Sequence, residues 1–380
     1  MKIKDLVLKE IKGFWGEEPA ENEKGIPVIK TNNLTYEGVI NYSDLCYRSI
    51  DVNKVKDNFL IKGDLLIEKS GGTKTHSVGY VSYFDGTDNT YVCNNFILGL
   101  RINENIVRPK YIFYILKYMY ENGYFAHCYK QTTGIQNLKK DLYLDFDIQV
   151  PDFQTQDNII NVLDKITTST TKDQQKLKKY DDLVKSQFIE MFGDRLKNTK
   201  HWDEKELKEC VDFYNGKAHE QVVDNNGQYI LVTSRCIASD LSDFRRTNTL
   251  LFPLQQNDIT MVMSDVPNGK AFAKCMLIQE DNKFTLNQRI CCLRNYNFNP
   301  IFLLHLLNRH EYFLQFDDGN SQTNLRKNDL LGCNVIIPPI ELQNQFADFV
   351  KHIDKLKFTI KQSIEKLELC YKSLMKQYFD

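Results

Sequence analysis

The chain has 380 residues, a formal net charge of −1, and 42% hydrophobic and 26% charged residues. This apolar content excludes wholesale disorder, and the length predicts two or three domains of roughly 100–200 residues each. No apolar run reaches the roughly 18 residues of a membrane span, no signal-peptide core begins the chain, and the ten cysteines form no CxxC pair. We therefore expect a cytoplasmic protein that contacts no membrane, and the neutral charge supplies no basic footprint for nucleic acid.

Residues 1–150 are expected to form short strands bounded by turn residues, followed by one helix. Residues 58–84 show a strand, the Gly63-Asp64 turn, a strand, a polar glycine-rich loop and another strand. The helix is predicted over RPKYIFYILKYMY, residues 108–120.

A long helix is predicted over residues 151–195 and another over residues 338–380. Their apolar positions alternate steps of four and three for more than four heptads, which is typical of a coiled-coil seam, although a long surface helix against a globular core is the alternative. Pro151 and Pro338 are expected to end the strands that precede them. The seam residues are Ile159, Leu163, Ile166, Leu177, Tyr180 and Val184 in the first helix and Phe346, Val350, Ile353, Ile364, Leu367 and Tyr371 in the second.

Residues 196–337 repeat the plan of residues 1–150, with Asn257-Asp258 standing where Gly63-Asp64 stood and a helix predicted over 299–313. The tails of the two halves align without a gap at an offset of 187 positions, so that the same residue types recur in register, for example Asn137 with Asn324, Gln156 with Gln343 and Phe192 with Phe379. The chain is therefore an internal duplication. We expect an α+β fold in which two mixed α/β domains are separated by two long helices that form an antiparallel coiled coil, with pseudo-two-fold internal symmetry.

Several stretches carry a resemblance to a known family. They are LVKSQFIEMFGD at 183–194, the segment from TTGIQNL to VLDKI at 132–166, GDLLI at 63–67, NDITMV at 257–262 and LNQRI at 286–290. The first two resemble the end and the beginning of the central conserved helix of the specificity (S) subunit of type I restriction-modification systems, and the other three resemble its target recognition domains. The resemblance covers essentially the whole chain, and it is weaker where the second turn reads GNSQTNL.

The resemblance implies a subunit without catalysis of its own. Residues 1–150 and 196–337 would be target recognition domains that each read one half of a bipartite, asymmetric site in double-stranded DNA. The conserved helices would dock two methyltransferase subunits, and the seam residues named above are the candidates for this coiled coil and docking. S-adenosylmethionine would be bound by those partners and no cofactor by this chain, and a motor-nuclease subunit would join for cleavage.

The motifs of catalysis are missing from the sequence. Asn299-Pro300-Ile301-Phe302 lacks the second proline of an amino-methyltransferase loop, and no stretch fits the phosphate-binding GxxxxGK[ST] pattern. The seven histidines show no metal spacing, so we expect no metal site, and His219 and His310 are expected to be polar surface residues.

Candidate DNA contacts are basic, amide and hydroxyl side chains in loops, because such groups bind phosphates and base edges. In the first half they are Lys69, Thr73, Lys74 and His76 in the glycine-rich loop and Lys130, Gln131, Thr133, Gln136 and Lys139 in the turn before the long helix. In the second half they are Arg235, Arg245, Arg246, Lys270, Gln322, Arg326 and Lys327.

Two alternatives stay open. An ordinary solvated hairpin is the alternative for the glycine-rich loop, and the recurrence of Asn137 and Asn324 in both halves favours a framework role for these two residues. A duplicated adaptor, whose coiled coil docks proteins without touching DNA, is the alternative function.

Overall fold

The computed structural model describes residues 1–22, 24–73, 75–132, 134–266, 269–317, 319 and 322–380. These form two compact units. Unit 1 comprises residues 1–173 and 363–380, and unit 2 comprises residues 174–362. Each unit therefore contains one half of the duplication and a part of both long helices.

Unit 1 is built on a four-stranded antiparallel sheet of order β1-β8-β4-β6, with three-stranded sheets β3-β2-β7 and β5-β10-β9. Its strands are β1 (Val7–Ile11), β2 (Ile26–Ile29), β3 (Cys46–Arg48), β4 (Leu65–Glu68), β5 (Ser70–Gly71), β6 (Val81–Tyr83), β7 (Val92–Cys93), β8 (Ile97–Ile102), β9 (Tyr129–Thr132) and β10 (Ile135–Leu138). Its helices are α1 (Val52–Val55), α2 (Pro109–Glu121), α3 (Lys140–Leu144) and the first part of α4 (Phe153–Phe192).

Unit 2 is built on the sheet β12-β19-β15-β17, with β14-β13-β18 and the pairs β16-β20 and β11-β21. Its strands are β11 (Glu204–Glu206), β12 (Asp212–Asn215), β13 (Tyr229–Val232), β14 (Arg245–Thr247), β15 (Ile259–Val262), β16 (Ser264–Asp265), β17 (Cys275–Leu277), β18 (Phe284–Leu286), β19 (Ile290–Arg294), β20 (Thr323–Asn324) and β21 (Asn334–Ile336). Its helices are α5 (Ser234–Ala238), α6 (Pro300–Leu307), α7 (Glu311–Leu314), α8 (Lys327–Leu331) and the first part of α9 (Ile340–Phe379).

The two units repeat one topology. Each four-stranded sheet is antiparallel, and each neighbouring three-stranded sheet contains one parallel pair, β2 with β7 and β13 with β18. The turn before β4 and the turn before β15 both need a left-handed residue, which is Gly63 at φ +100° in one and Asn257 at φ +70° in the other. Glycine and asparagine are residues that tolerate this conformation. The α+β fold of two mixed domains and the duplication are confirmed.

The same buried ion pair follows this turn in both units. Arg101 donates to the two carboxylate oxygens of Asp64 at 2.9 and 2.8 Å, and Arg294 donates to those of Asp258 at 2.7 and 2.6 Å. The carboxylates are fully buried, and each also accepts a backbone N–H, from Ile61 or from Gln255. The pair fixes the turn against the central strand beside it.

The two long helices have 40 residues each and pack antiparallel. Near the middle of the pair, Ser363 donates to Asp173 in unit 1, and Lys357 contacts Asp181 at 2.6 Å in unit 2. No predicted seam residue is exposed, so the four-three ladder marks the packed face. The helices begin two residues after Pro151 and directly after Pro339, as the prolines predicted.

Two predicted elements differ from the structure. The helix predicted over 299–313 is interrupted, because Arg309 adopts φ +47° and its N–H bonds to Ala273 O, while the Nδ1 of His310 accepts the N–H of Tyr312 and starts a new turn. The strand predicted before Pro151 is reduced to a single bridge between Lys2 and Asp147, because the chain turns into a 3-10 helix at Ile3–Leu6.

Candidate nucleic-acid interface

Three loops of unit 1 meet at Lys69. The N–H of Lys69 donates to Phe96 O at 2.9 Å, and Lys69 O accepts the N–H of Leu138 at 2.8 Å. Strand β5 then pairs with β10, which places the glycine-rich loop beside the turn that precedes the long helix. Two sets of candidates that the sequence could only treat separately therefore share one surface.

Unit 2 contains the same junction, built around Met263. The N–H of Met263 donates to Arg289 O at 2.9 Å, and Met263 O accepts the N–H of Leu325 at 2.7 Å. Strand β16 pairs with β20 as β5 pairs with β10. We call these two sites the Lys69 junction and the Met263 junction.

Most of the candidates in the first half lie on the surface. Lys69, Thr73, His76 and Lys130 are exposed. Thr73 Oγ1 accepts the N–H of His76 at 3.0 Å and closes the loop, and the His76 ring stacks on Tyr36 with centroids 3.8 Å apart. These contacts hold Thr73 and His76 in place at the surface.

The remaining candidates of this half have other positions. Gln136 is buried and its Oε1 accepts the N–H of Val78 at 3.0 Å, so we assign it to the framework of the loop. Lys139 is half-buried and donates to His127 O. Lys74, Thr133 and the side chain of Gln131 lie outside the described residues.

The framework role expected for the two repeated asparagines agrees with their contacts. Asn137 Oδ1 accepts a hydrogen bond from Ser70 Oγ at 2.6 Å, and Asn324 donates to the carbonyl of Gln322. The first contact joins β5 to β10 at the Lys69 junction, and the second lies at the start of β20 in the Met263 junction.

In the second half the candidates fall into two groups. Arg235 pairs with Asp243 at 3.7 Å, Arg245 is exposed on β14, and the guanidinium of Arg246 lies 5.1 Å from the Phe244 ring centroid. This first group lies around the sheet β14-β13-β18. The second group belongs to the Met263 junction and its neighbours and comprises Lys270, Gln322, Arg326 and Lys327.

Contacts in the second group leave its charges on the surface. Lys270, Gln322 and Arg326 are exposed, and Gln322 Nε2 donates to Ser264 Oγ at 2.9 Å. Lys327 Nζ lies 5.2 Å from the Phe213 ring centroid. The exposed cations suit contacts with an anionic polymer.

Electrostatics at the Lys69 junction include one buried acid. Burial raises the pKa of Glu68, whose carboxylate accepts the N–H of Gly72 at 3.4 Å. Tyr36 lies near this carboxylate, and burial together with the Glu68 charge raises the pKa of its hydroxyl. The Lys69 junction therefore has exposed lysines, Lys69 and Lys130, and one buried carboxyl group, that of Glu68.

The two histidines expected on the surface are both buried, so that prediction is wrong. His219 is held between Lys217 O and Thr285 Oγ1, at 2.7 and 3.0 Å. His310 caps a helix, and burial lowers its pKa to about 4. In the described ranges no group of three or more His, Cys, Asp or Glu side chains is arranged to hold a metal ion.

The seam residues pack inside this chain. The most buried of them are Ile159 and Leu163 in the core of unit 1 and Val184, Phe346, Val350 and Ile353 in that of unit 2. The other six are half-buried. Large apolar side chains are exposed on these helices outside the seam: Val162, Leu183, Ile189, Phe358 and Leu369.

The residue types at the junctions were only partly anticipated. Phe96 and Arg289 were not among the predicted contacts, although each stands two positions after an asparagine in the matching strings CNNFI at 93–97 and LNQRI at 286–290. This asparagine, repeated just before β8 and β19, was the sequence feature that could have pointed to the two residues.

Comparison with known proteins identifies one family. The chain matches the model of the type I restriction modification DNA specificity domain over residues 1–179 and 199–369. The type I restriction enzyme MjaVIII specificity subunit of Methanocaldococcus jannaschii is 24% identical over 196 residues, which are 50% of this chain and 44% of that relative. The chain thus spans less than half the length of this curated relative.

Two solved structures share the fold. The S subunit of a type I restriction-modification system from M. genitalium matches with a TM-score of 0.59 and 17% identity, covering 100% of this chain and 95% of that one. A chain from a structural study of complex assembly and conformational transition in the type I R-M system matches with a TM-score of 0.57 and 12% identity, covering 99% and 96%. Within the described part of the chain, no helix has the length and apolar character to cross a membrane.

Proposed function

Because the chain belongs to the family of type I restriction modification DNA specificity domains, we propose that it is the non-catalytic DNA specificity subunit of a type I restriction-modification complex in the cytoplasm. Residues 1–150 and 196–337 would each read one half of a bipartite, asymmetric site in double-stranded DNA. The observation that carries the proposal is the repeated scaffold: one topology occurs twice, with the same three-loop junction, but with different side chains on it.

The long helices supply the surface for the proposed partners. Their seam residues pack within the chain, whereas the exposed apolar residues named above lie outside the seam. We assign them to docking of two methyltransferase subunits, with S-adenosylmethionine bound by those subunits and a motor-nuclease subunit joining for cleavage.

Co-expression with the methyltransferase subunit of the same system, followed by genome-wide mapping of methylated sites, tests this function. We expect a bipartite motif with a nonspecific gap. Exchanging residues 1–150 for the matching segment of a relative should change one half of the motif and leave the other. A motif that is not bipartite, or one that ignores the exchange while the complex still assembles, would favour the adaptor function instead.

A further inference from the structure

The two junctions present different side chains at one matching position. The residue whose carbonyl accepts the first hydrogen bond is Phe96 at the Lys69 junction and Arg289 at the Met263 junction. Both side chains are exposed, Phe96 at 55%, which is unusual for a phenylalanine. Duplication has therefore kept the position and changed its chemistry, from an apolar ring to a planar cation.

The loop at the Met263 junction has two local features that oppose stability. Arg289 adopts φ +69°, a left-handed conformation that is uncommon for an arginine. Within the described residues, the buried Oδ1 of Asn287 accepts no hydrogen bond, whereas the matching Asn94 Oδ1 accepts the N–H of Phe96 at 3.1 Å. Strained backbone and unsatisfied polar atoms concentrate at functional sites, so this loop is a candidate for one.

The guanidinium of Arg289 also differs from those of its neighbours. Arg294 is paired with Asp258, and Arg309 donates to Lys270 O at 2.7 Å. Arg289 is exposed and forms no ion pair with the described residues. Its side chain is therefore exposed on the β18–β19 loop, and its carbonyl bonds to the N–H of Met263 at the Met263 junction.

Resting on the proposed function, we propose that Phe96 and Arg289 are the matched specificity-determining residues of the two half-sites. Arg289 donates two hydrogen bonds to O6 and N7 of a guanine in the major groove, which is the geometry that a planar guanidinium provides. Phe96 makes an apolar contact with the methyl group of a thymine. The neighbouring cations, Lys69 in one half and Arg326 in the other, bind phosphates and position the loops.

The test uses the assembled methyltransferase complex and the map of methylated sites. Arg289→Gly removes the side chain and suits φ +69°, so the chain should fold with an unchanged or raised Tm. We expect discrimination at one base of one half-site to fall by about 10- to 100-fold, while the other half-site stays as in the wild type. Arg289→Lys keeps the charge but not the two-pronged donor, and it should lose most of the same discrimination.

Phe96→Arg provides the reciprocal variant. It should change the preferred base at one position of the other half-site from thymine towards guanine. An unchanged motif in Arg289→Gly, or a uniform loss of methylation at all sites with the base preferences retained, would overturn the assignment of Arg289 to base reading. A wild-type complex without a bipartite motif would instead refute the proposed function, and this inference with it.

Discussion

Arg294→Ala tests how strongly a target recognition domain depends on its buried ion pair. Asp258 is 1% exposed and accepts two hydrogen bonds from Arg294. Breaking a buried pair costs about 3–5 kcal/mol, since the remaining charge stays uncompensated. The Arg294 side chain is 19% exposed, and the N–H of Gln255 remains on the carboxylate. We therefore expect the free energy of unfolding of unit 2 to fall by about 3 kcal/mol, the lower end of that range.

Urea unfolding of the full chain can report the two units separately. The sequence has two tryptophans, Trp15 in unit 1 and Trp202 in unit 2. Fluorescence in a Trp15→Phe background follows unit 2, and in a Trp202→Phe background it follows unit 1. With an m-value of about 3 kcal/mol/M, Arg294→Ala should lower the Trp202 midpoint by about 1 M.

The matched control is Arg101→Ala, which breaks the same pair in unit 1. It should lower the Trp15 midpoint by a similar amount and leave the Trp202 midpoint in place. A shift below about 0.3 M in the unit that carries the change, or equal shifts at both reporters, would show that the pair does not stabilise its own domain as argued.

Two further predictions concern buried polar groups. Burial lowers the folded-state pKa of His310 and of His305 to about 4, below the value of about 6.5 expected in the unfolded chain. Between pH 7 and pH 5 the unfolded state takes up these protons, so each histidine should cost unit 2 about 2 kcal/mol of stability. Trp202 midpoints at both pH values check this, and His310→Asn, which keeps an acceptor for the helix cap, should abolish about half of the loss. Gln343→Leu leaves the Asn299 N–H and the Pro338 carbonyl without their partners, so the free energy of unfolding of unit 2 should fall by about 2 kcal/mol. The matched Gln156→Leu should lower that of unit 1 by the same amount. A fall below about 0.5 kcal/mol in both units would contradict the argument.

Features with a short repeat were the ones that could be predicted from the sequence. The seam depends on a four-three spacing within one helix, and the turns at Gly63 and Asn257 depend on a residue type that tolerates a left-handed backbone. Both signals are local. The helix interruption at Arg309 was missed because its cause is a hydrogen bond to Ala273, 36 positions away.

Long-range partners were beyond the reach of sequence reasoning. Gln156 and Gln343 occupy matching positions of the two halves. Their side chains accept the N–H groups of Arg108 and Asn299, just before α2 and α6, and these contacts depend on the tertiary fold. Likewise, Asp64 and Asp258 were visible in matching turns, while the arginines that bind them lie on other strands. The candidate interface was dispersed in the sequence for the same reason: only the pairing of β5 with β10 brings its two loops together.

The spacing between half-sites should depend on the length of the long helices. A heptad inserted after Leu177 keeps the seam in phase and lengthens α4 by about 10 Å, which corresponds to about three base pairs at 3.4 Å each. The contacts of Asp173 with Ser363 and of Asp181 with Lys357 put Leu177 opposite Ile360, so the matching heptad in α9 belongs after Ile360.

We expect the doubly extended chain to methylate a motif with both half-sites unchanged and a gap about three base pairs longer. Inserting two residues at the same two positions is the control, because it turns each seam by about 200° and exposes it, and methylation should be lost. A gap that stays the same in the matched heptad variant would show that the spacing is set elsewhere than in these helices.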